Sequence, residues 1–388
     1  MENKSCKISK KCGGCVYSGV DYKLQLAEKQ KLIETLMGKF CNAHGGVEPI
    51  IGMEKPLGYR HKVVRTFSTD RAGGLYSGLY EEGTHRVIRA EECIIEEQEC
   101  LSVIKTIEKL AKDFKIRAYD EDKGTGLLRH VLVRKGFATG EIMAVLVLAN
   151  FIFPGKNNFI RELTAAHPSV KTIVFNENHG KNSLILGKNQ QVVYGRGFIT
   201  DRLLGRSFKI SPKSFYQVNP AQTERLYNTA VSFAGLTGRE FCIDAYCGTG
   251  TIGIIAAERA GRVLGIELSP DAVRDAVANA RENRVDNIKF RNADATEFLC
   301  EMAAAKTAPP EVLFMDPPRS GSTPEFISAA AALKVPKIVY ISCNPETLAR
   351  DAELFTGLGY KAERVQPVDM FPFTGHVECV VLMSREGK

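Results

Sequence analysis

Cys343 closes the run Ile338-Val339-Tyr340-Ile341-Ser342, and Asn344-Pro345 follows at once. A short apolar run closed by proline reads as a buried strand ending in a turn. The thiol then stands at the carboxyl end of a strand, where open α/β sheets hold their ligands. Two readings compete: a nucleophile, or a packed core cysteine, the commonest fate of a free thiol. A second group bears on the choice. Asp369-Met370-Phe371-Pro372 leads through Gly375-His376-Val377-Glu378 into a last strand, Cys379 to Met383. Glu378 sits where that strand begins, with His376 as a rival base and strand capping as the plain structural alternative. A thiol and a carboxylate from two late strands suit one chemistry: thiolate addition to an unsaturated ring, followed by removal of a proton. Carbon C5 of a pyrimidine needs such help, because it is a poor nucleophile until a thiolate adds at C6. An exocyclic amine carries its own lone pair and needs none.

These groups need a scaffold. From about Phe208 the sequence alternates strand-like and helix-like segments, the signature of a parallel sheet. Phe241 to Tyr246 is a strand, and Cys247-Gly248-Thr249-Gly250-Thr251 a tight glycine turn. Glycines there let a ligand approach the backbone, which marks Gly248 and Thr251. Val263 to Glu267 ends in an acid able to hold both ribose hydroxyls, and Ser269-Pro270 starts a helix. Asp294 follows a third strand and can take an adenine amine. Val312 to Met315 runs into Asp316-Pro317-Pro318-Arg319, a turn suited to a planar base beside a methyl donor. The series fits S-adenosylmethionine better than a dinucleotide, whose G-x-G-x-x-G pattern is not matched cleanly. Lys213-Ser214-Phe215-Tyr216-Gln217 opens this half. Phe215 can stack on a base and Gln217 can hydrogen-bond donor or substrate, with interdomain packing as the alternative.

The amino-terminal part has another texture. Cys6, Cys12 and Cys15 form C-x5-C-x2-C around Gly13-Gly14, with Cys93 and Cys100 as candidate fourth thiols. Spacing leaves three readings open: a four-cysteine iron–sulfur cluster, a structural zinc, or a redox C-x-x-C. Asp21 to Leu36 has apolar residues at helical spacing. Segments from Tyr59 to Tyr194 read as an antiparallel sheet whose polar face carries Arg60, Lys62, Arg65, Arg129, Arg134 and Lys135. Basic residues interleaved with aromatics suit phosphate contact and base stacking in RNA, against the alternative of a solvated face.

Composition sets the outer limits. The chain has 388 residues, a net charge of +7 and eleven cysteines, an odd number that excludes complete internal pairing. The positive balance is compatible with a nucleic-acid partner. No apolar run approaches the ~18 residues of a membrane span. No signal peptide is read, so the expected location is the cytoplasm. No long apolar helix asks for a partner, and a monomer is expected. We divide the chain at 1–207, a β-rich RNA-binding region with the cysteine site, and 208–388, the catalytic half.

At this point an ordered set of motifs resembles one family, the RNA uracil-C5 methyltransferases that act on ribosomal and transfer RNA. The set is Phe215-Tyr216-Gln217-Val218-Asn219, Tyr246-Cys247-Gly248-Thr249-Gly250, Asp316 to Arg319, Ser342-Cys343-Asn344-Pro345 to Asp351, and Asp369 to Glu378. The resemblance implies a Rossmann-like class I methyltransferase domain, with Cys343 as nucleophile and Glu378 as proton-removing base. It implies donor contacts from Gln217, Tyr246, Glu267 and Asp316, with Asp294 near the adenine. It implies a 4Fe-4S cluster on Cys6, Cys12, Cys15 and Cys93, and demotes Cys100. The cluster is expected to be structural rather than redox-active, since its cysteines lie in the other domain from Cys343 and methyl transfer needs no electron. It also implies that the helix from 21 to about 40 packs on the catalytic half. Many members begin with a small β-barrel before the cluster; this sequence starts near the first cluster cysteine and resembles the bacterial 23S ribosomal RNA branch. The expected substrate is 23S rRNA, with tRNA as the alternative, and a non-catalytic iron–sulfur RNA-binding factor as the alternative from another class.

Overall fold

A computed structural model describes residues 5–41, 46–180 and 184–385. A single helical turn, α1 (Ser9–Cys12), precedes a long helix, α2 (Tyr22–Cys41). Strands β1 (Lys62–Thr69), β2 (Leu75–Tyr80) and β3 (Val87–Arg89) form an antiparallel meander. Helix α3 (Gln98–Asp113) is capped by Glu97, whose carboxylate accepts from the Cys100 N–H. Strands β4 (Leu128–Lys135) and β5 (Ile142–Leu148) pair as a hairpin. Helix α4 (Lys156–Ala166) leads to β6 (Val170–Glu177), and β7 (Asn189–Gly195) forms the far edge. The seven strands lie in the order β3-β2-β1-β4-β5-β6-β7. The sequence predicts a purely antiparallel sheet here; the structure is mixed, because β5 and β6 are parallel. A parallel pair needs a crossover of a dozen or more residues, which α4 supplies. One face of the sheet buries α3 and α4 in an apolar cluster around Ile104, Ile107, Phe159 and Phe175.

A hairpin, β8 (Ile199–Leu203) and β9 (Arg206–Ile210), lies between this sheet and the next. Its Ile199 and Ile210 pack with Leu132 and Val145 of the first sheet, while Leu203 and Phe208 join the core of the second. Then follow α5 (Pro220–Ala234), β10 (Phe241–Ala245), α6 (Thr251–Ala256), β11 (Arg262–Glu267), α7 (Pro270–Glu282) and β12 (Ile288–Asn292). The rest is α8 (Ala295–Ala304), β13 (Val312–Met315), α9 (Pro324–Ala332), β14 (Lys337–Ser342), α10 (Pro345–Gly357), β15 (Tyr360–Val368) and β16 (Glu378–Arg385). The strand order is β12-β11-β10-β13-β14-β16-β15, with β16 antiparallel to both neighbours. Residues of α5, α6 and α7 cover one face, and residues of α8, α9 and α10 the other. This is the three-layer, Rossmann-like arrangement that buried strands flanked by helices require. Among the described residues no helix is long and apolar enough to cross a membrane.

Helix α2 comes early in the chain but lies on the second sheet. Ile33, Met37 and Cys41 are fully buried in one cluster with Ile338, Phe355 and Val365. Lys29 Nζ reaches Asp369 Oδ1 at 2.7 Å with both side chains buried, and the Tyr22 hydroxyl donates to Asp369 Oδ2 at 2.8 Å. Lys29→Met is expected to strand the Asp369 carboxylate in the core. Loss of one partner of a buried pair costs about 3–5 kcal/mol, to be read as a lowered midpoint in urea.

Candidate active site

A cavity of about 500 Å³ opens at the carboxyl edge of the second sheet, where its strand order reverses between β10 and β13. Cys343 and Glu378 both line it. The register explains why they meet. Ser342 of β14 lies opposite Cys379 of β16 as the last pair of that ladder, and the adjoining Cys343 and Glu378 come off it at the cavity edge. Gln217, Tyr246, Gly248, Thr251, Glu267 and Asp316 line the same cavity, as do Phe215, Arg60 and Arg319. Phe215 is 68% exposed at its mouth. Two groups weighed from sequence stand apart from the lining. His376 is exposed, with Nε2 at 3.3 Å from Arg319 Nη2. Asp294 caps α8, its Oδ1 accepting from the N–H groups of Thr296 (2.8 Å) and Glu297 (3.0 Å).

Local sequence sets this geometry. Tyr246, just past β10, has φ +63°, a strained conformation for a residue with a side chain. Gly250 has φ +79°, and a Cβ there would meet the Phe290 ring at 2.8 Å. The Gly248 N–H donates to Glu267 Oε2 at 3.0 Å, and the Ser269 N–H donates to Oε1 at 2.7 Å. Glu267 is thereby fixed at the end of β11 while its turn stays open to a ligand. Asn344 caps α10 through its carbonyl oxygen, and its amide Nδ2 donates to the Arg319 carbonyl at 3.0 Å. Thr347 Oγ1 donates to the same carbonyl at 3.3 Å. The loop that presents Cys343 is thus tied to the Asp316-Pro317-Pro318-Arg319 turn.

The cavity is acidic at its buried base. Burial alone pushes the Asp316 carboxyl up to about 7. Burial, then the nearby Asp316, pushes Glu378 up to about 8, with Arg319 pulling the other way. Burial raises the Cys343 thiol, Glu378 and Asp316 add to this, and Arg319 opposes it. Like charges packed at one site hold protons that they would release beside a cation. A sulfonium ligand supplies that cation, and the glycine turn leaves room for a nucleoside. These residues fit S-adenosylmethionine. Arg319 and Phe371 stand in the sequence motifs without a role of their own, Tyr227 lies outside them, and all three line the cavity. Apolar helix and loop positions of this kind carry no signal until the fold brings them round.

The four cysteines of the amino-terminal region are neighbours. Cys15 and Cys93 pack in one group with Tyr59, Ile95 and Phe373. Burial raises the Cys15 thiol to about 11, and the proximity of Cys6 and Cys12 adds to it. Among the described residues, however, no three His, Cys, Asp or Glu side chains close to metal-holding distance. Cys100 is buried in the core of the first sheet.

The expected basic face needs correction. Arg129 and Arg134 are each 3% exposed, so neither faces RNA. Arg129 donates to the carbonyls of Asn178 and Gly180 and pairs with Glu121. Arg134 Nη1 donates to the Ser214 carbonyl at 3.0 Å. Arg65 is buried against Glu96, and Lys135 bridges Glu97 and Glu99. The β8–β9 hairpin covers the face that carries Lys62 and Arg134, whereas Arg65 and Lys135 lie on the opposite face, toward Glu96 and the start of α3. Buried guanidinium groups then bond to backbone carbonyls or carboxylates. Arg60 and Lys62 remain part-exposed, with Arg60 at the cavity.

A family model described as tRNA (uracil-5-)-methyltransferase matches residues 183–386, more than half of the chain. The chain belongs to the RNA uracil-5 methyltransferase family. An uncharacterized RNA methyltransferase of Clostridium acetobutylicum is 40% identical over 386 residues, which are 99% of this chain and 84% of that protein. Another, from Halalkalibacterium halodurans, is 41% identical over 98% of this chain and 82% of its own length. The crystal structure of Pyrococcus abyssi tRNA (uracil-54, C5)-methyltransferase in complex with S-adenosyl-L-homocysteine superposes with a TM-score of 0.78 at 27% identity. That match covers 94% of this chain and 83% of the archaeal one. This methyltransferase is therefore an S-adenosylmethionine-dependent enzyme acting on uracil C5 in RNA, in agreement with the motif reading.

Proposed function

We propose that the cavity methylates C5 of a uridine in folded RNA through a covalent bond between Cys343 and C6, with Glu378 as the base. The observation that carries this reading is that the thiol just past β14 and the carboxylate at the start of β16 line one cavity. The Cys343 thiolate adds to C6, and the electron pair shifts to C5 and the neighbouring carbonyl. When bound, S-adenosylmethionine supplies the electrophilic methyl group that C5 accepts. Glu378 then takes the C5 proton, the C5–C6 double bond re-forms, and the sulfur leaves as thiolate. Glu267, on its glycine turn, is placed for ribose hydroxyls. Tyr246, Gly248 and Thr251 border the nucleoside, and Gln217 and Asp316 border the reacting end. Asp294 holds the loop beyond the adenine side. Phe215 stacks on the extruded base, and Arg60 and Lys62 face its backbone.

The substrate proposed first is 23S rRNA. The second is tRNA, favoured by the similarity to an enzyme of tRNA uracil-54. The test uses each RNA transcribed with 5-fluorouridine, whose C5 fluorine cannot be removed as a proton. A stable protein–RNA adduct, dependent on S-adenosylmethionine and formed with one RNA class, is the expected result. Methylation of ordinary RNA with no trapped adduct on its fluorinated copy would overturn the covalent route.

We further propose that Cys6, Cys12, Cys15 and Cys93 hold a 4Fe-4S cluster. Support comes from four soft donors drawn from distant segments, without a competing histidine in the set. A bound metal would deprotonate Cys15 and Cys93, whose thiols burial raises to about 11 and about 12. Such a cluster ties the amino-terminal loop to the segment before α3 and supplies no electron to the reaction. Protein prepared without oxygen is expected to contain iron and acid-labile sulfide in equal amounts, lost in Cys15→Ser. Zinc alone in that preparation would favour the other metal.

A further inference from the structure

The face of the first sheet that carries Lys62, Val64, Thr66 and Ser68 turns toward the second sheet, since Val64 and Leu132 pack with Ile199, Ile210 and Tyr216. At the far end of that face lies a separate cavity of about 320 Å³. Its wall is aromatic. The Tyr80 ring meets His85 edge-on at 5.9 Å and His130 at 6.5 Å. Tyr119 also lines the cavity, with the Arg129 guanidinium at 4.7 Å from its ring centre. Arg129, buried and bonded to Glu121, Asn178 and Gly180, therefore fixes an aromatic wall. The floor is polar but uncharged: Thr66 Oγ1 lies 3.1 Å from His130 Nδ1. Burial, then Arg129, lowers the His130 ring to about 4, so it stays neutral near pH 7. Glu121 and the exposed Asp122 stand at the rim.

We propose that this cavity is a second nucleobase pocket of the enzyme, taking a splayed-out base with an exocyclic amine from the same RNA that carries the target uridine. The inference rests on the RNA reading above. Its volume suits one base rather than a duplex. Aromatic edges and faces favour a planar ring, and single-stranded RNA is read in this way. Asp122 at the rim repels a phosphate and accepts N–H from the exocyclic amine of adenine, cytosine or guanine, whereas the C4 oxygen of uracil offers no donor there. Thr66 is six residues along the chain from Arg60, which lines the catalytic cavity. At about 3.4 Å per residue the two pockets lie about 20 Å apart, a span of a few extended nucleotides.

Fluorescence anisotropy with labelled octamers of adenosine and of uridine tests this. The wild-type protein is expected to bind the adenosine octamer about tenfold more tightly than the uridine octamer. Tyr80→Ala and the more exposed His85→Ala are each expected to shrink that preference several-fold with an unchanged melting temperature. Both should still form the adduct with saturating 5-fluorouridine RNA. Equal binding of the two octamers by the wild type, or a preference that survives in both folded variants, would overturn the proposal. Absence of the adduct in the wild type would instead sink the covalent route and leave the octamer comparison standing.

Discussion

Cys343→Ala is expected to leave no measurable methyl transfer, a fall of roughly 10⁴-fold or more, as when other covalent nucleophiles are removed. The reason is chemical, since without a sulfur at C6 the uracil C5 has no electron pair to offer. Binding of S-adenosylmethionine should change little, because the glycine turn and Glu267 hold their geometry without the thiol. The fold should also hold, since Cys343 lies past the end of β14 and its loop is anchored by Asn344 and Thr347. Tritium release from RNA labelled at uridine C5 reads the chemistry, and calorimetry reads donor binding. Methylation within tenfold of the wild type would dismiss Cys343 as nucleophile.

Glu378→Gln is expected to stop the cycle one step later. The amide keeps the shape of the side chain but cannot accept the C5 proton, so methylated RNA should accumulate bound to Cys343. Turnover should fall by about 10²–10⁴-fold while the adduct becomes visible by denaturing electrophoresis. The same variant reports on pH. The wild-type carboxyl must lose its proton to act, so kcat/KM should rise with pH through about 8 and level off above. Stability runs the other way. In the fold Glu378 titrates near 8, while in the unfolded chain it titrates near the ordinary glutamate value. Between those limits the native state binds the extra proton, so the ligand-free wild type loses stability as pH rises. The glutamine variant loses less, and its melting temperature should overtake that of the wild type toward pH 8. A flat difference between pH 5 and pH 8 would show that Glu378 ionises normally.

Much of the second sheet was legible because its punctuation is local. Ser269-Pro270 and Asn344-Pro345 cap α7 and α10 where the sequence places them. Cys343 and Glu378, 35 positions apart, were paired by chemistry and then joined by register. The first sheet was harder to read. Val170 to Glu177 has the same apolar pattern whether it runs parallel or antiparallel to its neighbour, and only the α4 crossover decides. The basic residues failed for a related reason. Period-two alternation puts Lys62 with Arg134 on one face and Arg65 with Lys135 on the other, and it does not tell what covers either face. Cys93 was a candidate fourth thiol by position, yet its approach to Cys15 depends on how two loops fold back on Tyr59 and Phe373.

The docking of α2 on β15 and α10 has a consequence for how the protein is made. During synthesis Ile33 and Met37 emerge more than three hundred residues ahead of the strand that will shelter them. Until Val365 leaves the ribosome, that stretch must wait with its oily side bare, a target for chaperones and for self-association. The catalytic half matures last, and it needs α2, made near the start of synthesis, to do so.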